Sequence, residues 1–163
     1  MSGGPSGTTV PLRIARTHNA QLVRCLIRSW HSTHPAPVSW RVAFLLYGEC
    51  GEVIGVSTFG RPVARAEDRV HTMEHTRMAL GPAARKNSAS WFMAACRRWI
   101  RAEMPGVHRL IAYVDETRHT GVTYRADNWR TVYSGLRPTG NWGNRPGRAG
   151  EKATVRRKFE RPP

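Results

Sequence analysis

Apolar residues recur along the chain with two spacings, and each spacing predicts a different kind of element. Short apolar runs bounded by turn residues predict six strands, at 10–16, 40–47, 52–59, 71–80, 110–114 and 130–133. Apolar residues three or four positions apart predict helices at 17–30 and after residue 90, and a shorter one at 121–127. This order predicts an α/β fold, with a mixed, mainly antiparallel central sheet and helices on both faces.

The two longer helices each have one apolar side. In the first helix it holds Leu22, Val23, Leu26, Ile27 and Trp30. In the second it holds Phe92, Ala95, Cys96, Trp99 and Ile100. The arginines of the second helix are expected on the opposite side, in solvent: Arg97, Arg98 and Arg101. Both helices are therefore expected to cover the sheet.

An excess of positive charge indicates a polyanionic partner. The 163 residues include 26 Lys and Arg against 11 Asp and Glu, which gives a formal net charge of +15. Nucleic acid is the expected partner. The alternative is a GC-rich genome, which produces the same arginine bias without a function.

Composition divides the chain into three parts. Residues 1–9 form an expected disordered leader, 10–135 one folded domain, and 136–163 a basic arm rich in Gly, Pro and Arg. The candidates for nucleic-acid contact in the arm are Arg145, Arg148, Arg156, Arg157 and Lys158. The apolar runs are too short to span a membrane, and the leader lacks the apolar block of a secretion signal. With three scattered cysteines and no CxxC pair, the chain is expected to be cytoplasmic with reduced thiols.

The stretch 110–129 carries the first candidate site. An apolar run ends at Asp115, and the crevice at the carboxyl ends of strands is where open α/β sheets bind ligands. Tyr124 lies in the short helix, with Thr120 as its N-cap and Asn128 as a left-handed C-cap, and is expected to face back toward Asp115. The alternative is structural, with a capping Asp115 and a half-buried Tyr124.

The segment 85–90 is the second candidate. Arg85, Asn87, Ser88 and Ser90 lie at the start of a helix, where unpaired backbone N–H groups and the helix dipole favour a phosphate or carboxylate. The alternative is that Asn87 or Ser88 only caps the helix.

His31 and His34 form a His-x-x-His pair, the third candidate. With Asp115 or His119 they would provide two histidines and a carboxylate for a metal ion. A neutral imidazole acting as a base and a capping role are the alternatives.

Arg77 is the fourth candidate, on the predicted strand 71–80 that also holds Glu74. Their odd separation places the two side chains on opposite faces of a regular strand. Arg77 is therefore expected to meet a bound anion or, in the alternative, solvent.

The order of elements resembles that of the GNAT acyltransferases. Those enzymes hold the pyrophosphate of acyl-coenzyme A on a loop of pattern R/Q-x-x-G-x-G/A, and the corresponding residues here are Arg85, Ser88 and Ser90. Two serines in place of glycines would crowd a close-lying pyrophosphate. Because of this crowding, the candidate donor is either acyl-coenzyme A or another small-group donor. A separate candidate cofactor is Fe(II), bound at the histidine pair.

Four segments together resemble the Mom family of bacteriophage DNA-modification proteins. They are 55–65, 74–77, 86–99 and 113–129, with a looser match in the Trp-His-Ser-Thr-His-Pro loop at 30–35. The match extends from about Trp30 to Gly135. A Tyr-Arg-Ala-x-Asn-Trp string like that at 124–129 also occurs in the Druantia defence family.

The Mom resemblance implies modification of adenine in double-stranded DNA at its exocyclic N6. The added group is carbamoylmethyl, which blocks host restriction endonucleases. The family's functional residues fall here on His31, Arg77, Ser90 and Asp115. An aromatic residue is expected after the histidine in that family, where this chain has Ser32, so the identity of the transferred group stays open.

An exocyclic amine is a poor nucleophile, which assigns a role to each of these residues. Asp115 or His31 removes a proton, Arg77 acts as an electrostatic clamp, and Ser90 with the adjacent helix N-terminus holds an oxygen of the donor. A base inside a duplex is unreachable, so the target must be flipped out and stacked on an aromatic side chain. The candidates for stacking are Trp91, Tyr124 and Trp129.

Two other functions fit the same sequence. An acyl-coenzyme A-dependent N-acetyltransferase of a small amine or protein predicts tight binding of coenzyme A. A non-catalytic nucleic-acid-binding protein predicts salt-sensitive binding of DNA without an altered nucleoside.

Overall fold

The structure, a computed structural model, describes residues 12–31, 34–136 and 155–163. Its helices are α1 (Ala20–Trp30), α2 (Ser88–Glu103) and α3 (Val122–Ala126). Its strands are β1 (Arg13–Thr17), β2 (Val42–Tyr47), β3 (Val53–Gly60), β4 (Thr72–Leu80), β5 (Arg109–Asp115), β6 (Arg130–Leu136) and β7 (Val155–Arg161). All elements up to β6 follow the predicted order, and β7 is an addition.

The strands form one seven-stranded sheet in the order β1-β2-β3-β4-β5-β7-β6. Neighbouring strands pair antiparallel, except that β4 and β5 pair in parallel. The parallel ladder runs only from the Thr72–Arg109 pair to the His75–Ala112 pair. Beyond it β4 continues to Leu80 and β5 to Asp115, so the sheet opens between them. We call this gap the β4–β5 split.

Helices cover both faces of the sheet, as the apolar spacing predicts. On one face, here the α1 face, Val23 and Ile27 of α1 share a core with Ala43, Leu45, Val56 and Ala79. On the other, the α2 face, the residues of α2 include Phe92, Met93, Cys96 and Ile100, and those of the sheet include Met73, Leu110, Ala112 and Phe159. In the described parts of the chain, no helix is long and apolar enough to cross a membrane.

The last strand corrects the predicted domain boundary. β7 pairs with β5 on one side and β6 on the other, and its Phe159 is completely buried. Its sequence is VRRKFER. The charged residues made this segment resemble a basic arm, because the acidic residues that pair with them are distant in the sequence. The predicted arm from 136 to 163 is therefore wrong for 155–161, which belong to the folded domain. The leader 1–9 and residues 137–154 lie outside the described residues.

A bulge in β4 corrects the placement of Arg77. The register of β3 against β4 passes over Thr76 between its pairs at His75 and Arg77, so Thr76 is an extra residue. The extra residue reverses the alternation of side chains and returns Arg77 to the face of Glu74, the α1 face. The predicted placement on opposite faces is therefore wrong, because it assumed an uninterrupted strand.

Arg97 is buried, although its position on α2 predicted a solvent-facing side chain. Its Nε and Nη2 donate to the two carboxylate oxygens of Asp127, at 3.1 and 3.3 Å. Trp129 Nε1 at 2.9 Å and Arg161 Nη1 at 3.3 Å also donate to Asp127. This carboxylate therefore joins α2, the end of α3 and β7.

The helix α3 begins one residue later than predicted. Its N-cap is Gly121, at φ 70°, and not Thr120. A Cβ on Gly121 would lie 2.6 Å from the ring of Phe159, so this position needs glycine for space as well as conformation. After the helix, Asn128 has φ 55°, the left-handed conformation that the sequence predicted.

Candidate functional site

Four polar side chains gather where the β4–β5 split meets the end of α1. Arg77 comes from β4, Asp115 from the end of β5, and His31 and His34 from the segment after α1. Burial, and then the positive charge of Arg77, lower the pKa of both histidines, whereas Asp115 raises that of His34. We call these four residues the α1-face cluster.

Arg77 holds the proline-containing loop against the sheet. Its Nε donates to the backbone oxygen of Pro35 at 3.0 Å, and its Nη1 to the backbone oxygen of Thr76 at 2.6 Å. Burial lowers the pKa of Arg77, and the nearby Glu74 opposes that effect. The buried Glu74 accepts the backbone N–H of Val63 at 2.8 Å. The guanidinium is therefore a fixed positive charge at the split.

His31 is a neutral imidazole at physiological pH. Burial and the charges of Arg77, His34 and His119 lower its pKa to about 4. Its Nδ1 accepts the backbone N–H of His34 at 3.2 Å, so the single proton of the neutral ring lies on Nε2. His31 can take a proton only if this contact with His34 is released.

Asp115 lies at the end of β5, as predicted, and it also caps the turn that follows. Its Oδ1 accepts the backbone N–H of Thr117 at 3.0 Å and the hydroxyl of the same residue. Arg118 Nε lies 3.8 Å from Oδ2. The hydrogen bond from the Thr117 hydroxyl is the main cause that lowers the pKa of Asp115. Asp115 is therefore a carboxylate, and the capping alternative describes part of its role.

On the α2 face, three side chains form a hydrogen-bonded row. His75 Nδ1 lies 2.7 Å from Tyr124 Oη, and His75 Nε2 lies 3.0 Å from Ser57 Oγ. The sequence predicted Tyr124 to face Asp115, but its hydroxyl meets His75 instead. The Tyr124 ring stacks on Phe159 with centroids 5.1 Å apart. We call this set the Ser57–His75–Tyr124 row.

Burial sets the protonation states of the row. It lowers the pKa of His75 to about 3 and raises the pKa of Tyr124. A hydrogen bond with the backbone of Arg77 opposes the effect on His75, and the charges of Arg77 and His31 add to it. For Tyr124, the charge of Glu74 adds to the effect of burial and that of Arg77 opposes it. The row and the α1-face cluster are therefore within electrostatic reach of each other at the split.

The start of α2 offers backbone N–H groups to an anion. The N-cap Asn87 has φ 68°, and its side chain makes no capping hydrogen bond. Ser90 Oγ donates to the backbone oxygen of Asn87 at 3.1 Å, Ser88 is buried, and the exposed Arg85 pairs with Glu49 at 2.9 Å. Among the contacts seen for the described residues, none joins Ser90 to Asp115 or Arg77.

The three basic residues predicted in 155–158 have different surroundings. Lys158 is buried and paired with Glu67, so its predicted contact with nucleic acid is corrected. Arg157 pairs with Glu116. Arg156 is half-buried, and its charge acts on the pKa values of His34, Glu74, Arg77 and Asp115. Arg156 therefore adjoins the α1-face cluster, while Arg145 and Arg148 lie outside the described residues.

The histidine pair does not fit a metal ion. The rings of His31 and His34 are 6.0 Å apart between centroids, and the His31 Nδ1 lone pair already accepts a hydrogen bond. The positive charges of Arg77, Arg118 and Arg156 act on His34 and disfavour a further cation. Within 12–31, 34–136 and 155–163, no group of three metal-ligating side chains is found. Fe(II) therefore has no part in the proposals below.

Sequence reasoning missed Ser57 and His75, and it predicted Arg156 only as a nucleic-acid contact in a C-terminal arm. His75 lies two residues after the buried Met73, so both side chains point to the same, inward face of the strand. A polar side chain at such a position must find a hydrogen-bond partner. That signal was available in the sequence. Arg156 gave no comparable signal, because its position depends on β7.

The sequence of the chain matches a known family. The sequence pattern of the Mom protein family matches residues 11–147. No curated protein sequence matches the chain.

Solved structures share the fold. An acetyltransferase of the GNAT family from Streptococcus pneumoniae superposes with a TM-score of 0.64 at 15% identity, over 94% of this chain and 100% of that chain. An N-acetyltransferase from Staphylococcus aureus Mu50 superposes with a TM-score of 0.61 at 18% identity, over 93% of this chain and 98% of that chain. A protein from Salmonella typhimurium, solved with its cofactor acetyl-CoA, superposes with a TM-score of 0.64 at 12% identity, over 93% of this chain and 93% of that chain. These likenesses confirm the predicted GNAT-like α/β fold.

Proposed function

The chain belongs to the Mom protein family, and we propose that it is a transferase that modifies adenine at N6 in double-stranded DNA. The transferred group is small, acyl-derived and carbamoylmethyl-like, and it protects DNA of a bacteriophage from restriction. One observation carries the proposal. The β4–β5 split has a protonated phenol on its α2 face and a guanidinium, a neutral imidazole and a carboxylate on its α1 face.

The α1-face cluster is the proposed place of the flipped adenine. Asp115 is ionised at neutral pH and accepts an N–H of the exocyclic amine. Once the nitrogen has formed its new bond it becomes strongly acidic, so a weakly basic carboxylate then suffices to take the proton. Arg77 stabilises negative charge that develops on the donor. His31, being neutral, adds no charge that would oppose the positive amine.

Tyr124 is the proposed proton donor to the leaving group. Burial raises the pKa of its phenol, so the hydroxyl keeps its proton at neutral pH. A positioned acid of this kind contributes roughly 10²- to 10⁴-fold to a rate. The split allows the donor to approach from the α2 face and the amine from the α1 face.

The start of α2 is the proposed donor site. Its backbone N–H groups and Arg85 suit the phosphates of acyl-coenzyme A, which supplies an activated acyl group when bound. Ser88 is only 2% exposed, so its side chain does not project at the loop surface. The crowding expected from two serines is therefore reduced to that of Ser90.

Exposed arginines near the cluster are the proposed contacts to DNA. Arg24 and Arg28 of α1 line a groove of about 320 Å³ together with the loop 35–38. The loop 61–71 adds the exposed Arg61 and Arg69, and it is held on the α1 face by the Val63–Glu74 hydrogen bond. Such residues contact phosphates and orient the duplex without reading its sequence.

Mass spectrometry of nucleosides from DNA of cells that express the protein tests the proposal. The wild type should yield a modified deoxyadenosine, and Asp115→Asn should yield none while its DNA affinity stays unchanged. The matched control is Asp68→Asn, because Asp68 also caps a turn, through Val70 at 2.8 Å, but lies outside the cluster. An unmodified nucleoside pool from the wild type contradicts the function, and activity in Asp115→Asn contradicts the role of that carboxylate.

The GNAT fold also favours a second candidate, N-acetylation of a small amine or a protein by acetyl-coenzyme A. Labelled acetyl-coenzyme A distinguishes it from the first. Transfer of label to amines or proteins in the absence of DNA supports the second candidate, whereas transfer that requires DNA supports the first. Salt-sensitive binding of DNA without any transfer indicates the non-catalytic alternative.

A further inference from the structure

The Ser57–His75–Tyr124 row has a direction, and the direction determines what Tyr124 can do. His75 is 6% exposed, and burial keeps its imidazole neutral, so the ring carries one proton and one lone pair. If the proton is on Nε2, it points to Ser57, and the Tyr124 hydroxyl donates to Nδ1. If it is on Nδ1, it points to Tyr124, and the Tyr124 hydroxyl is left to donate elsewhere.

The chemistry of Ser57 decides between the two arrangements. Ser57 is completely buried, and its hydroxyl also contacts the buried thiol of Cys96. A thiol is a weak acceptor and an imidazole nitrogen a strong one, so the Ser57 hydroxyl donates preferentially to His75 Nε2 at 3.0 Å. The donors of the row then point from Ser57 through His75 toward Tyr124.

We infer that His75 is a positioning residue, held by Ser57 as the Nδ1–H tautomer, that keeps the Tyr124 hydroxyl hydrogen available to a ligand in the β4–β5 split. The inference rests on the proposed function only for the identity of that ligand. In the reaction the O–H bond of Tyr124 breaks and its proton passes to the anionic leaving atom of the donor. The resulting phenolate accepts the hydrogen bond from His75 Nδ1 and regains a proton from water.

The tautomer is measured directly by ¹⁵N-detected NMR of the histidine side chains in the full chain. The expected result for His75 at neutral pH is a protonated Nδ1 and an unprotonated Nε2, with the signals assigned by their loss in His75→Asn. An Nε2–H tautomer or an imidazolium overturns the inference. In Ser57→Ala the Nδ1–H population should fall, and an unchanged population in a folded variant also overturns it.

Activity tests the same direction with a matched pair of variants. His75→Asn places an amide near the position of Nδ1, and His75→Gln places one near the position of Nε2. His75→Asn should therefore retain about ten times more of the turnover rate than His75→Gln, at equal KM. Equal rates in two folded variants contradict a positioning role and indicate that His75 only fills space.

The two measurements separate the inference from the proposed function. An unmodified nucleoside pool with the Nδ1–H tautomer present leaves the positioning of Tyr124 intact and removes the adenine reaction. Modified adenine together with the Nε2–H tautomer supports the adenine reaction and overturns the positioning role of His75.

Discussion

The two faces of the sheet hold a histidine in different ways. On the α2 face, His75 lies in an apolar core and hydrogen-bonds Ser57 and Tyr124. On the α1 face, His31 is half-buried among Arg77, His34 and His119. Burial lowers the pKa of both, to about 3 and about 4.

The two faces of the sheet therefore respond to different changes in their surroundings. On the α2 face, buried hydrogen bonds fix the positions of protons, and a ligand that binds nearby changes these positions little. The α1 face fixes charges, and a bound anion would change their balance.

The largest effect is expected from the core side of β7. Phe159→Ala should lower the free energy of unfolding by about 3–5 kcal/mol, because it removes a completely buried ring that also packs on Tyr124. The control is Arg156→Ala on the α1 face of the same strand, which should cost about 1 kcal/mol or less. Urea unfolding followed by circular dichroism measures both. Similar losses in the two variants would contradict the assignment of faces.

Removal of the buried carboxylate on the α2 face should be the next largest effect. Asp127→Ala leaves the buried Arg97 without its partner and should cost about 3 kcal/mol. The control is Glu49→Ala, which breaks the exposed pair with Arg85 and should cost less than about 1 kcal/mol. The same unfolding measurement applies, and a loss in Glu49→Ala as large as in Asp127→Ala contradicts the prediction.

Acid should separate the two histidines. In the unfolded chain a histidine has a pKa of about 6.5, so below that pH the unfolded state binds protons that the folded state refuses. The free energy of unfolding should therefore be constant above about pH 7 and fall as the pH decreases, down to about 4 for His31 and about 3 for His75.

Two variants check this dependence. Between about pH 6.5 and 4, His75→Gln and His31→Gln should flatten the pH dependence of urea midpoints by similar amounts, since each removes a side chain that binds a proton only in the unfolded chain. An equal slope in wild type and His75→Gln is the contradicting result. Asp115 does not interfere, because its lowered pKa confines its own contribution to still more acidic conditions.

The smallest effect should come from an added anion. Inorganic pyrophosphate bound at the α1-face cluster should raise the pKa of His34 by less than about one pH unit, because it offsets the charges of Arg77 and Arg118. NMR titration of the ring protons with and without pyrophosphate measures the shift. The His75 signals serve as the internal control, and an equal shift there contradicts the separation of the two faces.

Most of the fold was predictable, because alternation and helical spacing reflect burial on one or two faces. The order of elements to β6 and the GNAT-like sheet followed from these patterns. β7 did not, because its charged residues are neutralised by Glu67, Glu116 and other residues distant in sequence. The bulge at Thr76 also left no pattern in the sequence, and it reversed the expected face of Arg77.

The candidate site was predictable where a residue stands at a strand end or in a loop of unusual composition. In the structure Arg77 lies within electrostatic reach of His31 and His34, and Asp115 within that of His34. The sequence did not predict the Ser57–His75–Tyr124 row, because the row joins residues of β3, β4 and α3 through contacts that form only when the sheet packs. The roles of all these residues remain predictions for the experiments above.

The pairing of Leu136 with Val155 has a consequence for the turn that follows β5. The backbone N–H of Glu116 donates to Val155 O at 2.9 Å, so the start of β7 adjoins the turn that Asp115 caps. A substitution at the start of β7 would therefore displace the Asp115 carboxylate from a position forty residues away along the chain.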